Sequence, residues 1–235
     1  MSDPNTNNQP NSFPTPPQNE PGHLYPGGPT PTFNPPPPST TTNTTTTTTT
    51  TTNPTQGYHL NHLAIRVTDP SRSLHFYVDL LGMRTIFTFN AGPFTIYYLG
   101  HPPAHITTAD GLAAWARETS AIPALTRTKG LLELYHVHGT EKVESGNEAP
   151  GLGFAHLGFT VPDVKGAVAR LRDAGVRVLK EVGTCAREDV PLSKWEEERG
   201  VGVGDIHENY AAFFREIAMV ADPDGYWVEL VPQQM

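Results

Sequence analysis

The chain has 235 residues, a net charge of −8 and one cysteine, Cys185. The acidic balance excludes non-specific nucleic-acid binding, which needs basic patches to displace counterions, and the lone cysteine excludes an intramolecular disulfide and suits a reducing compartment. No apolar run approaches the roughly 20 residues that span a bilayer, and the N-terminus has neither a basic, apolar leader nor the arginines of a transit peptide, so a soluble, cytoplasmic protein with no membrane partner is expected.

Residues 1–56 contain no Lys or Arg and are dominated by Pro, Thr and Asn. Such a segment buries too little apolar surface to offset its ordering entropy, so it reads as a disordered, solvated tail. The remaining residues, 57–235, suffice for one good-sized core or two small linked modules.

The first module is expected over about 58–140. His59 to Val67 alternates as a strand, with His62, Ala64 and Arg66 on one face and Leu63, Ile65 and Val67 on the other, packing face. Asp69-Pro70-Ser71 starts a helix whose apolar residues Leu74, Tyr77, Val78 and Leu81 recur at helical spacing, and Gly82 stops it. Strands follow at about 84–90 and 94–99. Residues 101–129 form an excursion with a short helix near Leu112 to Arg117, and Gly130 to His138 is a strand with Glu133, Tyr135 and Val137 on one face and Leu134, His136 and His138 on the other.

The second module is expected over about 153–233. His156 to Pro162 repeats the first strand, Asp163 caps a helix carrying Val164, Ala167, Val168 and Leu171, and Ala174-Gly175 ends it as Leu81-Gly82 ends the first. A strand is expected at 176–182, then an insertion over about 183–212 with an acidic helical turn at Ser193 to Arg199. Its glycine series at 200–204 lacks a following Lys-Ser or Lys-Thr, which argues against a phosphate-binding loop. An extended run from Phe213 to Val220 leads through the turn Asp222-Pro-Asp-Gly225 into a final strand on which Trp227, Glu229 and Val231 point together.

The histidines that open the two modules, His62 and His156, are 94 residues apart, and the glutamates that close them, Glu133 and Glu229, are 96 apart. Taken singly, a strand histidine or glutamate is more often a core or rim residue than a ligand; duplication at a fixed offset singles these four out. Imidazole and carboxylate suit divalent first-row metals, and four such ligands leave two open octahedral positions, as a catalytic site requires. The expectation is four side chains converging on one metal ion. His136 and His138, opposite Glu133 on their strand, form a second and lesser metal-binding pair.

These residues, with Asp69-Pro70, Phe76-Tyr77, Leu81-Gly82-Met83, Leu132-Glu-Leu134, Gly139-Thr-Glu141, Gly153-Phe-Ala-His156 and Asp222-Pro-Asp-Gly-Tyr-Trp-Val-Glu229, resemble glyoxalase I, lactoylglutathione lyase, of the vicinal oxygen chelate superfamily. The resemblance covers most of residues 58–233. It implies an α+β fold of paired βαβββ modules and a homodimer whose sites form between modules, often of different subunits. It implies His62, Glu133, His156 and Glu229 as metal ligands. A histidine at the first position goes more often with nickel or cobalt, and a glutamine with zinc.

The implied reaction belongs to methylglyoxal detoxification: a lyase isomerises the methylglyoxal–glutathione hemithioacetal to S-lactoylglutathione through an ene-diolate, Glu229 moving the carbon-bound proton and Glu133 assisting. Arg66 and Trp227 match family positions that contact the thiol cofactor, and Lys194 stands in for a lysine on a shorter family loop. Val137 and Leu152 replace the asparagine and arginine usual in the family. Two other readings remain: a superfamily isomerase or dioxygenase acting on another small metabolite, and a non-catalytic module that sequesters a ligand in the same cleft.

Overall fold

In the computed structural model, residues 57–149, 151–186, 189 and 194–234 are described. The expected tail, residues 1–56, and residues 187–188 and 190–193 of the 183–212 insertion lie outside them. From Leu60 onward the described chain forms one compact unit.

The first module runs β1 (His62–Arg66), α1 (Pro70–Leu74), β2 (Arg84–Asn90), β3 (Phe94–Gly100), α2 (Ala109–Ser120), α3 (Ile122–Leu125) and β4 (Leu131–Val137). The second runs β5 (Leu157–Val161), α4 (Val164–Asp173), β6 (Val178–Lys180), α5 (Lys194–Glu197), α6 (Glu208–Glu216), β7 (Ala218–Ala221) and β8 (Trp227–Pro232). Each forms a four-stranded mixed sheet, in the orders β1-β4-β3-β2 and β5-β8-β7-β6. In both, the first strand pairs parallel with the last, and the other pairings are antiparallel. The expected α+β architecture of paired βαβββ modules is therefore present.

Local chemistry accounts for the helix starts. The Asp69 carboxylate accepts from the backbone N–H groups of Ser71 and Arg72, and Asp163 accepts from that of Gly166, each satisfying donors that a helix N-terminus leaves open. Gly82 (φ 78°) and Gly175 (φ 81°) then reverse the chain in the left-handed region.

Three elements depart from the sequence reading. α1 continues into a π-helical turn over His75–Leu80, with Leu81 N–H bonded to the Phe76 carbonyl. The wider turn places Phe76 and Tyr77 inside, in line with Ser73 of α1, whereas Leu74, Val78 and Leu81 pack only partly against the core. Leu63, assigned to the packing face of β1, is 38% exposed, while Ile65 and Val67 are buried. Residues 208–216 are helical where an extended run was expected from Phe213: Ala211 and Phe214, three apart, face inward, and the His207 ring accepts from Asn209 N–H at the helix start. The buried Lys180 ammonium locks that segment, donating to the carbonyls of Ile217 (2.8 Å) and Glu181 (3.0 Å) and lying 4.4 Å from the centre of the Phe214 ring. Desolvation lowers the pKa of this amine.

The two modules share one core: Ile65, Val67, Phe76, Tyr77 and Leu134 from the first pack in a cluster with Val168, Leu171, Val220, Val228 and Leu230 from the second. A polar seam reinforces it. The Tyr77 hydroxyl donates to buried Asp222 (2.8 Å), which also accepts from the backbone N–H groups of Tyr226 (2.8 Å) and Asp224 (2.9 Å). Asp224 in turn accepts from Thr68 N–H, and Arg72 donates to the Pro223 carbonyl. The β7–β8 turn of one module is thus bonded to the helix start of the other.

Burial raises the Asp222 carboxyl to about 6, against the lowering effect of its three donors. Because the folded chain holds this proton more tightly than the unfolded one, the associated stability is present in acid and is lost as pH rises through about 6. We expect the unfolding free energy of the wild type, relative to Asp222→Asn, to fall by up to about 3 kcal/mol between pH 4 and pH 7. Denaturant titrations across that range measure the difference, and a pH-independent gap would contradict it.

Candidate metal centre

The register of the parallel strand pairs brings each histidine to a glutamate. In the first module Glu133 lies opposite Ala64, two residues beyond His62; in the second, Glu229 lies opposite Gly158, two residues beyond His156. Residues two apart share a face of the sheet. The residue between histidine and glutamate is small in both copies, so the carboxylate can swing toward the imidazole; a Cβ built on Gly158 would already touch Glu229 Oε2 at 3.8 Å.

The resulting distances nearly coincide, with His62 Nε2 to Glu133 Oε2 at 3.5 Å and His156 Nε2 to Glu229 Oε2 at 3.4 Å. The carboxylates are nearly buried and the imidazoles more open, with side-chain exposures of 12% and 15% against 37% and 40%.

Asn61 decides what His62 offers. Its amide donates both hydrogens, to the carbonyls of Leu125 and Thr128 (2.8 Å each), so its oxygen faces His62 Nδ1 at 2.9 Å. Nδ1 therefore carries the proton of the neutral ring, and the Nε2 lone pair points toward a carboxylate oxygen. Two Lewis bases aimed at the same space, with no proton between them, are what a cation requires; a second-shell acceptor on the far ring nitrogen is the usual accompaniment of a ligating histidine.

The second pair is held through its backbone. Buried Asn147 donates to the carbonyls of Phe154 and Ala155 (2.7 Å each), directly ahead of His156, and accepts from the N–H of Trp227 (3.2 Å), two residues ahead of Glu229. One side chain thereby ties together the two strands that carry the ligands.

The glutamates differ in their other neighbours. Glu133 lies opposite Tyr98 and shares a hydrogen bond with its hydroxyl; burial first, then that bond and the carboxylate's charge, push the Tyr98 phenol up to about 12. Glu229 lies opposite Met219, which offers no such donor. Tyr210 of α6 is close enough for the Glu229 charge to add to the desolvation that raises its phenol.

The four expected ligands form two pairs. Among the described residues no group of three or more His, Cys, Asp or Glu side chains is placed to hold a metal ion within one chain. The donor chemistry of each pair, one imidazole and one carboxylate, fits a divalent metal.

Arg66 extends the first pair's strand face and is exposed, whereas Trp227 extends the second pair's face and is half-buried, so these two belong to different halves. The side chain of Lys194, at the start of α5, lies outside the described residues. A cavity of about 390 Å³ beside His62 is lined by His101, Leu131, Leu157, Gly158 and Thr160. A second, of about 300 Å³, is lined by Asn147, Leu152, Phe154, Glu196 and Trp227. Leu152 is 36% exposed at that mouth. A third cavity, of about 520 Å³, lies at the polar seam between Arg72 and Asp222 and is lined by none of the four expected ligands.

Asn61, Tyr98, Asn147 and Tyr210 were missed from the sequence. Asn61 stands next to a ligand, which is a weak signal, and nothing local marks the other three.

Two mixed sheets with a His–Glu pair on the adjoining parallel strands of each define a protein of the vicinal oxygen chelate fold. The chain belongs to the Glyoxalase/Bleomycin resistance protein/Dioxygenase superfamily, whose family model matches residues 59–189. It is 34% identical to the lactoylglutathione lyase of Pseudomonas aeruginosa over 183 residues, covering 75% of this chain and 84% of that enzyme. It is 29% identical to glyoxalase I of Saccharomyces cerevisiae and 31% identical to the lactoylglutathione lyase of Schizosaccharomyces pombe, covering 73% and 75% of this chain but only 44% and 48% of those enzymes. Similar solved structures include the trypanothione-dependent glyoxalase I of Leishmania major (23% identity, TM-score 0.46, 75% of this chain and 88% of that one) and glyoxalase I of Zea mays (21%, 0.46, 73% and 43%). The sequence relatives support the expectation of an enzyme of the lactoylglutathione lyase type. Among the described residues no helix is long and apolar enough to cross a membrane.

Replacing Asn147 with Ala strands two carbonyls and an N–H at the second pair. A fully buried group of this kind costs about 1–3 kcal/mol; these three are only part-buried and water can reach some of them, so Asn147→Ala should destabilise the chain by about 1–2 kcal/mol in chemical denaturation. A loss below about 0.5 kcal/mol would show the clamp to be dispensable.

Proposed function

We propose that the chain is a metal-dependent lactoylglutathione lyase that isomerises the methylglyoxal–glutathione hemithioacetal to S-lactoylglutathione. The observation that carries this reading is the twice-built His–Glu pair, each half presenting an imidazole and a carboxylate. His62 and Glu133 from one half, with His156 and Glu229 from the other, would hold one divalent ion: nickel, cobalt or zinc. Such an ion supplies Lewis-acid polarisation of the substrate's two oxygens.

Glu229 is the base. It takes the proton from the carbon that bears sulfur and returns it to the neighbouring carbon, so the product differs from the substrate only in where hydrogen sits. Glu133, held by the Tyr98 hydroxyl, is the better-fixed ligand; Glu229, facing Met219, is freer to move between the two carbons. Arg66 and Trp227 contact the thiol portion, with Lys194 reaching toward it. Residues 57–235 carry the whole catalytic unit in two modules, residues 1–56 are a tether, and the enzyme works in the cytoplasm.

Among the described residues of one chain the four side chains stand as two separate pairs, which supports a homodimer in which the first pair of one subunit meets the second pair of its partner. Such an interface is isologous, so two sites form at once. A second reading, a related enzyme acting on a different thiol adduct or small metabolite, is favoured by the apolar, partly exposed Leu152, which lines a cavity with Asn147 and Trp227. Turnover of the hemithioacetal with glutathione, compared with other thiols and with none, separates the two.

Glu229→Gln should lower kcat on the hemithioacetal by at least about 100-fold, as expected for a lost general base, with circular dichroism unchanged; wild-type turnover would refute the assignment. Chains carrying His62→Gln/Glu133→Gln and chains carrying His156→Gln/Glu229→Gln should each be inactive. Unfolded and refolded together in equal amounts, they should recover roughly a quarter of wild-type activity, since half the dimers contain one intact site of two. No recovery would place the site elsewhere than between subunits.

A further inference from the structure

We infer a second metal site, separate from the two His–Glu pairs, built by His136 and His138 at the end of β4. It takes a borderline divalent cation, copper(II) above all, on two imidazole nitrogens.

His136 lies on the face of β4 opposite Glu133, and His138, one residue past the strand with its N–H on the Pro93 carbonyl, meets Thr95, the register partner of His136, so neither joins the first pair. Their centres lie 5.6 Å apart with planes tilted by 51°. A metal bonded at about 2.0–2.1 Å to one nitrogen of each ring sits roughly 3 Å from each ring centre, so rings sharing an ion can be up to about 6 Å apart. The observed spacing falls inside that limit without moving the backbone.

Hydrogen bonds orient both rings. His136 Nδ1 is 3.2 Å from the Val67 carbonyl, which can only accept, so Nδ1 carries the proton and Nε2 keeps its lone pair. His138 Nε2 is 2.8 Å from the hydroxyl of buried Thr95, which can accept an N–H and leave Nδ1 free. A ring nitrogen bonded to a carbonyl or hydroxyl while the other is left open is the second-shell pattern of a histidine ligand.

His136 is half-buried and His138 is exposed, so the site opens to solvent and water can complete the coordination. Two neutral nitrogens plus water suit copper(II), which heads the divalent affinity series and accepts a planar arrangement. Neither histidine has a place in the proposed lyase chemistry.

The test uses the full chain carrying His62→Gln/His156→Gln, which removes the imidazoles of both His–Glu pairs. Titrated with copper(II) and followed by electron paramagnetic resonance, it should bind one ion per chain with the splitting of two nitrogen ligands. Adding His136→Gln/His138→Gln should abolish that signal, with circular dichroism confirming the fold. In the same His62→Gln/His156→Gln chain, substoichiometric copper(II) should broaden the imidazole proton resonances of His136 and His138 before those of the other histidines. Thr95→Val should weaken binding roughly 10-fold by freeing the His138 ring. No copper bound in the first variant, or a signal that survives loss of both histidines, overturns the site.

Discussion

The parallel pairing of the first and last strands in each module is the constraint on which the candidate centre rests. A βαβββ order that closes its last strand against its first brings residues about 70 positions apart into adjacent register, and in both modules that register sets a glutamate two residues beyond a histidine. A slip of one residue would turn the glutamate to the opposite face of the sheet. The near-equal distances, 3.5 and 3.4 Å, follow from one topology used twice.

The copies are not equivalent in what surrounds the ligands. The first pair is tuned by side chains: Asn61 sets the His62 ring and the Tyr98 hydroxyl engages Glu133. The second is set through the main chain, by Asn147 bridging the approach to His156 and the start of β8. The His–Glu pair recurs while its supports differ, which leaves one carboxylate better anchored than the other. That asymmetry suits a division of labour between a ligand and a base.

The module seam and the inserted segments complete the architecture. Asp222 accepts from Tyr77 across the seam and from its own turn, so the hairpin leading to Glu229 is tied to the helix that follows β1. α2 and α3 cover one side of the first sheet, where Trp115 and Leu125 pack against Ile86, Tyr98 and Leu131. α3 and the turn after it also present the carbonyls that position Asn61. An excursion that looks like filler in the sequence therefore helps to set the His62 ring.

The sequence by itself determined the duplicated order of elements, the capped helix starts at Asp69 and Asp163, and the identity of the His and Glu pairs. These rest on short-range periodicity and on an internal repeat, both legible without any partner. It misjudged the π-helical turn at 75–80 and the helix at 208–216, because each is decided by what buries it: a core that takes Phe76 and Tyr77, and a Lys180 ammonium that locks the Phe214 segment. Only the tertiary structure showed that the four side chains divide into two pairs among the described residues of one chain, since the sequence records which residues recur but not whether the surfaces carrying them face each other. The roles of Asn61, Tyr98 and Asn147 likewise depend on hydrogen bonds between segments whose separation in the chain leaves no local trace.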